Sequence, residues 1–155
     1  MLHTVLIVLH AAAALVCFTA GVFCLGLRSA TSGRFRLYFW SLLAMLLFLA
    51  AAIAVDWGDL DTTTRVIFLG LGVLGLYMAW RAAQASTRLH RQGPHWQPRY
   101  LDDIGFTLIA LFDGFVIVAA IDLGAPAWLV VLIAVAGVVG GIQAMKRVKA
   151  RVVTP

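Results

Sequence analysis

Five long apolar runs constrain this chain more than anything else in it. They cover residues 2–27, 37–55, 66–85, 104–123 and 127–144. A helix needs about 20 mostly apolar residues to cross the hydrocarbon core of a bilayer. Lipid offers no water to backbone N–H and C=O groups, so each run must satisfy its own as a helix. The expected fold class is therefore all-α: an integral membrane bundle of five transmembrane helices, forming one domain over 1–155. Composition points the same way. Of 155 residues, 63% are hydrophobic and 12% charged, whereas a soluble domain carries roughly a quarter charged residues.

The connections are short and punctuated. "RSATSGRFR" is a basic turn, "DWGDLDTTTR" is acidic, "RLHRQGPHWQPRY" carries two prolines and a glycine, "DLGAP" is a tight turn and "KRVKARVVTP" is a basic tail. The segment 86–103 reads as the longest extramembrane loop, with at most an amphipathic turn. Arg28, Arg34 and Arg36 flank the first turn; Arg81, Arg88, Arg91 and Arg99 lie in or beside the third connection; Lys146, Arg147, Lys149 and Arg151 follow the last run. Arg65 alone lies in the second connection, among Asp56, Asp59 and Asp61. Cytoplasmic loops carry the excess of Lys and Arg, so the N-terminus is expected outside and the C-terminus in the cytoplasm. The net charge of +5 thus speaks for membrane orientation and not for nucleic acid. The lipid bilayer is the expected partner.

Other signals are negative or structural. "MLHT" lacks the basic start of a signal peptide, so the first run is expected to stay in the mature protein. Cys17 and Cys24 are seven residues apart on one helix, about 10 Å along its axis, too far for a mutual disulfide. Arg outnumbers Lys, and Ala, Val, Leu and Gly dominate. That bias fits a GC-rich genome and a bacterial inner membrane.

Polar groups inside the runs are the candidate functional residues. Asp113 lies near the middle of the fourth run. An aspartate at a helix centre costs about 2.5–3.5 kcal/mol on insertion scales, so it should face the bundle. Loss of water favours its neutral form unless a cation or several donors meet it. Asp102, Phe106, Ile109, Ile117 and Ala120 share its helix face. In the first run His10, Ala14, Cys17, Gly21 and Cys24 follow a 4-3-4-3 spacing and form a stripe of small residues with an imidazole at one end. Small residues face other helices, so this stripe should look inward. Tyr77, Arg81 and Gln84 share a face of the third run. A polar path through His10, Asp113, Tyr77, Gln84, Arg81 and Asp102 can be drawn, and the binding or proton-relay residues expected are Asp113, His10, Tyr77 and Asp102.

Two glycine patterns are read as packing. "GLGVLG" (Gly70, Gly72, Gly75) matches a dinucleotide fingerprint, but it lacks the strand, helix and aqueous crevice that such a site requires. Gly137 and Gly141 have GxxxG spacing, which suits packing within the bundle or a homo-oligomer. No metal site is expected.

The stretches "LHAAAALVCFTAG" and "FTLIALFDGFVIVAAIDLGAPAW" resemble small multi-span inner-membrane proteins of bacteria whose function is not established. The resemblance covers the first and fourth runs and implies a fold type without an activity. Size and span number are also similar to tryptophan-rich sensory proteins, but the tryptophan- and proline-rich motifs of those proteins are missing here.

The favoured expectation is proton-linked binding or transport of an ion or small molecule, because an acid can change charge where Ser, Thr or Asn cannot. One alternative is a membrane-embedded enzyme, or a subunit binding a redox group, haem or a lipophile. Haem b takes two axial ligands, and only His10 is well placed, since His90 and His95 fall in a connection; haem is not favoured. The other alternative is a structural or assembly subunit. The orientation is directly testable. A cysteine at Gln92 should react with an impermeant thiol reagent only after the cytoplasmic side is opened, and one at Gly58 should react from outside. The reverse pattern would overturn the assignment.

Overall fold

Four of the five apolar runs belong to longer helices, whereas the helix of the first run ends at Cys24, inside the run. The computed structural model describes residues 1–26, 32–58 and 62–153. Within them lie five helices and no strand: α1 Leu2–Cys24, α2 Ser32–Val55, α3 Thr62–Arg91, α4 Trp96–Asp122 and α5 Ala127–Val153. Arg28, Asp59 and Asp61 lie outside the described residues. Among the described residues, three helices are long and apolar enough to cross a membrane by length and composition: Leu2–Cys24, Gly33–Val55 and Trp128–Arg151.

The segment expected to be a loop at 86–103 is instead mostly helix. α3 continues to Arg91 and α4 begins at Trp96, so the link is four residues, 92–95. Hydropathy marks only the apolar part of a helix. Beyond it, the chain stays helical because its polar side chains hold one another across turns, as Arg88 does Gln84 at 2.9 Å. Gly93 and Pro94 end α3, and Gln92 and His95 take positive φ values of 42° and 55° to turn the chain. Pro98 is tolerated because the first turn of a helix has no partner for its N–H. The basic tail after the last run is likewise helical through Val153, as part of α5.

"DLGAP" forms the tight turn its composition suggests. Gly124 has φ of 75°, and Ala125 N–H donates to Ala120 C=O at 2.9 Å. This is a helix ending in a left-handed glycine, with the freed carbonyl satisfied from beyond the turn. Pro126 C=O then accepts from Leu129 N–H at 2.9 Å and starts α5.

α1 packs chiefly on α2, while α4 packs on α3 and α5 and also touches α1. The core lies in one half of the bundle. It is made by Ala14, Cys17, Ala20 and Cys24 of α1, by Phe35, Tyr38, Leu42 and Met45 of α2, by Met78, Ala82 and Ala85 of α3, and by Tyr100, Leu101, Ile104, Leu108 and Leu111 of α4. This is the half where Arg34, Arg36, Arg88 and Arg99 also lie, and it is called the basic half below. The small-residue stripe on α1 faces inward, with Ala14, Cys17, Gly21 and Cys24 all buried, while Leu15 and Val22 on the opposite side are exposed. Tyr100 closes this core by donating from its hydroxyl to Cys24 C=O at 3.3 Å, a carbonyl in the last turn of α1 that has no partner within the helix.

Gly21 is the tightest point of the stripe. A Cβ there would lie 2.8 Å from Leu108 Cδ2 and 3.1 Å from Tyr38 Cδ2, so α1 meets α2 and α4 at once through a residue without a side chain. Gly75 does the same for α3 against Leu46 of α2, at 2.6 Å, whereas Gly70 and Gly72 have open space. Substituting Gly21→Ile should cost about 1–3 kcal/mol, the usual penalty of overpacking, and lower the thermal midpoint of the detergent-solubilised protein. Gly70→Ile should leave that midpoint essentially unchanged. Equal effects would show that the stripe is not a close contact.

Candidate functional site

α4 presents two charged faces to its neighbours, offset by one residue. Asp103 belongs to the face that carries Tyr100, Ile104, Thr107 and Leu111 into the core. Asp102 belongs to the face that carries Phe106, Ile109 and Asp113. The two neighbouring carboxylates therefore have separate partners.

Asp103 is almost fully buried, with 3% of its side chain exposed. Its Oδ1 lies 2.7 Å from Arg81 Nε, an ion pair that is not aligned as a hydrogen bond. Its Oδ2 accepts from Arg88 Nη1. Arg88 also donates to Gln84 Oε1 at 2.9 Å and to Arg99 C=O at 3.2 Å. Arg81 donates from Nη1 to the Tyr77 hydroxyl at 3.2 Å, and its guanidinium lies over the rings of Phe106 and Tyr77, 5.4 and 5.9 Å from their centres. Arg81, Gln84 and Arg88 share one face of α3 because they stand three and four residues apart. The fully buried Ala82 and Ala85 between them let the α3 backbone come close. Loss of water, and then the like charges of Arg99 and Arg81, lower the Arg88 pKa from its ordinary value, which starts so high that the guanidinium stays charged.

The second face of α4 forms a seam with α5. At the basic end Asp102 pairs with Lys149 of α5. Next, a Cβ on Gly105 would lie 2.5 Å from Met145 Cε, and one on Gly141 would lie 2.6 Å from Ile109 Cγ1. Farther along, the Asp113 carboxylate rests on Gly137. Gly137 and Gly141 thus receive α4 of the same chain, on the face that their spacing also offered to a second copy.

A cavity of about 520 Å³ opens where this seam meets α3. Arg81, Asp102, Lys146 and Lys149 supply its polar wall, and Phe106, Ile109, Ile142 and Met145 its apolar floor. A second cavity of about 320 Å³ adjoins it through Arg81 and Asp102 and adds Arg88, Arg99 and Asp103.

The four site residues expected from sequence are not brought together. Tyr77 joins the Arg81–Asp103 cluster. Asp102 stands at the cavity rim, its side chain half-exposed. His10 is turned to α2, where its Nδ1 meets Met45 C=O at 2.9 Å; a carbonyl only accepts, so Nδ1 carries the proton. Asp113 is partly buried. Its Oδ1 is covered and accepts no hydrogen bond, and its carboxylate has no polar partner among the described residues. The path drawn from His10 through Asp113 is therefore interrupted at both residues. Asp103 is the residue that sequence reasoning missed. The signal was available: the Tyr100, Asp103, Thr107 and Leu111 spacing is helical, and the polar face of α3 needs an acid opposite it. Among the described residues no group of three His, Cys, Asp or Glu side chains is placed to hold a metal ion.

No family model matches the chain, and comparison with curated proteins and with solved structures finds no similar one.

The cluster makes a clear stability prediction. Asp103→Asn leaves two arginines facing a neutral amide and should cost about 2–3 kcal/mol, toward the lower side of what breaking a buried pair costs because both arginines keep some access to water. Asp102→Asn removes only an exposed pair and should cost less than about 1 kcal/mol. Thermal unfolding of the two variants in detergent checks the order, and a reversed order would place the structural charge on the wrong aspartate.

Proposed function

We propose that the protein is a multi-pass protein of the bacterial inner membrane. In this reading all five helices cross the bilayer, with the N-terminus outside and the C-terminus in the cytoplasm. We further propose that it carries out proton-linked binding or transport of an ion or small molecule, with Asp113 as the group that gains and loses the proton. The observation that carries this reading is the state of the Asp113 carboxylate: its Oδ1 is covered beside Gly137, and it has no hydrogen-bond partner among the described residues.

The argument is one of cost. A side chain needed only to fix helix register works by holding a partner, and Ser, Thr or Asn does so more cheaply in a membrane than an aspartate. Asp113 holds none. An acceptor buried without a donor costs free energy, and two events relieve that cost: uptake of a proton, or arrival of a cationic or hydrogen-bonding ligand. The two compete for one carboxylate, and that competition is proton linkage. The larger cavity lies farther along the same α4 face, at Ile109, Phe106 and Asp102 near the basic end. Arg81 lines that cavity, and Tyr77 lines the smaller one beside it. His10 belongs to a different seam and serves α2.

The test uses the full chain in proteoliposomes that contain a pH-sensitive dye, with a potassium diffusion potential as driving force. Wild type should acidify or alkalinise the lumen in a pH-dependent manner. Asp113→Asn should fold with the same helix content and fall to the level of protein-free vesicles. Gly137→Ala should shift the pH dependence, because its Cβ would displace the carboxylate. If Asp113→Asn matches wild type across pH, the carboxylate is a packing element, and an assembly subunit becomes the better reading.

A further inference from the structure

We propose that the cavity between α3, α4 and α5 at the basic end binds the headgroup of an anionic phospholipid. This goes beyond the proton-linked role and does not depend on whether Asp113 titrates.

Three observations carry the proposal. The first is charge. The two adjoining cavities are lined by five cations, Arg81, Arg88, Arg99, Lys146 and Lys149, and by two carboxylates, Asp102 and Asp103. Both carboxylates are already engaged: Asp103 by Arg81 and Arg88, and Asp102 by Lys149. Lys146 lines the cavity with no ion pair among the described residues. An anion entering here meets a net excess of three positive charges. The ammonium of a zwitterionic headgroup would find no free acid.

The second observation is the floor. Phe106, Ile109, Ile142 and Met145 line the same space as the cations, so the site is hydrocarbon on one side and basic on the other. A free inorganic anion would use only half of it. A phospholipid uses both, with its phosphate at Lys146 and Arg81 and the start of its acyl chains on Ile142 and Met145.

The third is access. Ile142 is 45% exposed and continues an open apolar face of α5 through Val138, Val139, Val135 and Leu132. No residue in the apolar stretch of α5 is buried inside the protein, so in a bilayer that face borders acyl chains. A lipid reaches the cavity sideways from the leaflet without crossing the bundle. Basic pockets at the cytoplasmic ends of helices suit anionic headgroups for this reason.

The experiment measures lipid retention by native mass spectrometry and lipid-dependent thermal shift on the full chain in detergent. The probes are phosphatidylglycerol, phosphatidylcholine and inorganic phosphate. Phosphatidylglycerol should bind and stabilise the wild type. The doubly substituted Lys146→Gln/Lys149→Gln protein should bind it at least about tenfold more weakly, given the contribution of each lysine near a headgroup. Arg147→Gln/Arg151→Gln removes the same charge from the same helix outside the cavity and should bind nearly as wild type does. Lys146→Gln alone breaks no ion pair, so it serves if the double variant fails to fold, and it too should weaken binding. Equal loss in both double variants would reduce the effect to general surface charge. Equal binding of phosphatidylcholine would leave only an apolar groove. Displacement of the lipid by millimolar inorganic phosphate would make this a free-anion site. Each of these results overturns the proposal.

Discussion

The buried Asp103 carboxylate and the two arginines that meet it organise the basic half of this protein. A carboxylate with so little access to water is stable only if opposite charge and hydrogen bonds replace what water supplied. Arg81 and Arg88 do this from positions about two turns apart on one face of α3. Because they stand seven residues apart, they engage Asp103 together only at one height and one rotation of α3 against α4. That single alignment aims Asp103 at α3 and leaves Asp102, one residue earlier, facing the rim toward α5. It also sets Arg81 over Phe106, which makes Arg81 both a member of the cluster and a wall of the larger cavity.

From that alignment the two seams of α4 acquire different characters. Toward α1 and α2 the face is closed to solvent: Tyr38, Tyr100, Leu101, Ile104 and Thr107 are fully buried. Toward α5 the contacts are made through glycines: Gly105 under Met145, Gly141 under Ile109 and Gly137 under Asp113. Small residues let the two helix backbones approach closely along this seam. The unpartnered carboxylate and the cavity both lie along it.

Much of this architecture was legible in the sequence. Long apolar runs dictate helices, since hydrocarbon leaves the backbone no other donor or acceptor. The α1 stripe was legible because small residues at helical spacing are what permit close helix contact, and Gly21 is where that permission is used. The "DLGAP" turn was legible because glycine alone takes its positive φ without strain. The helix ends were not. Hydropathy falls where charges begin, but Gln84, Arg88 and Asp103 prolong α3 and α4 through side-chain bonds that depend on which helices are neighbours. The site was legible in its residue types and not in its pairings. Asp113 anchored the reading of α4, and its helical phase selects Asp102; the phase of the core selects Asp103. His10 was rightly read as inward-facing, yet inward from α1 means toward the Met45 carbonyl of α2 and not toward Asp113.

By itself the sequence determined that the chain is helical, where the apolar part of each helix lies, that their basic ends cluster, and that a carboxylate sits in the middle of an apolar segment. These follow from composition and periodicity, which act along one helix at a time. Only the tertiary structure decided which carboxylate is clamped, which is paired at the rim and which is left alone. Partner choice depends on the rotation and height of one helix against another. A single residue's step turns a helix face by about 100°, which is enough to send adjacent aspartates to different neighbours.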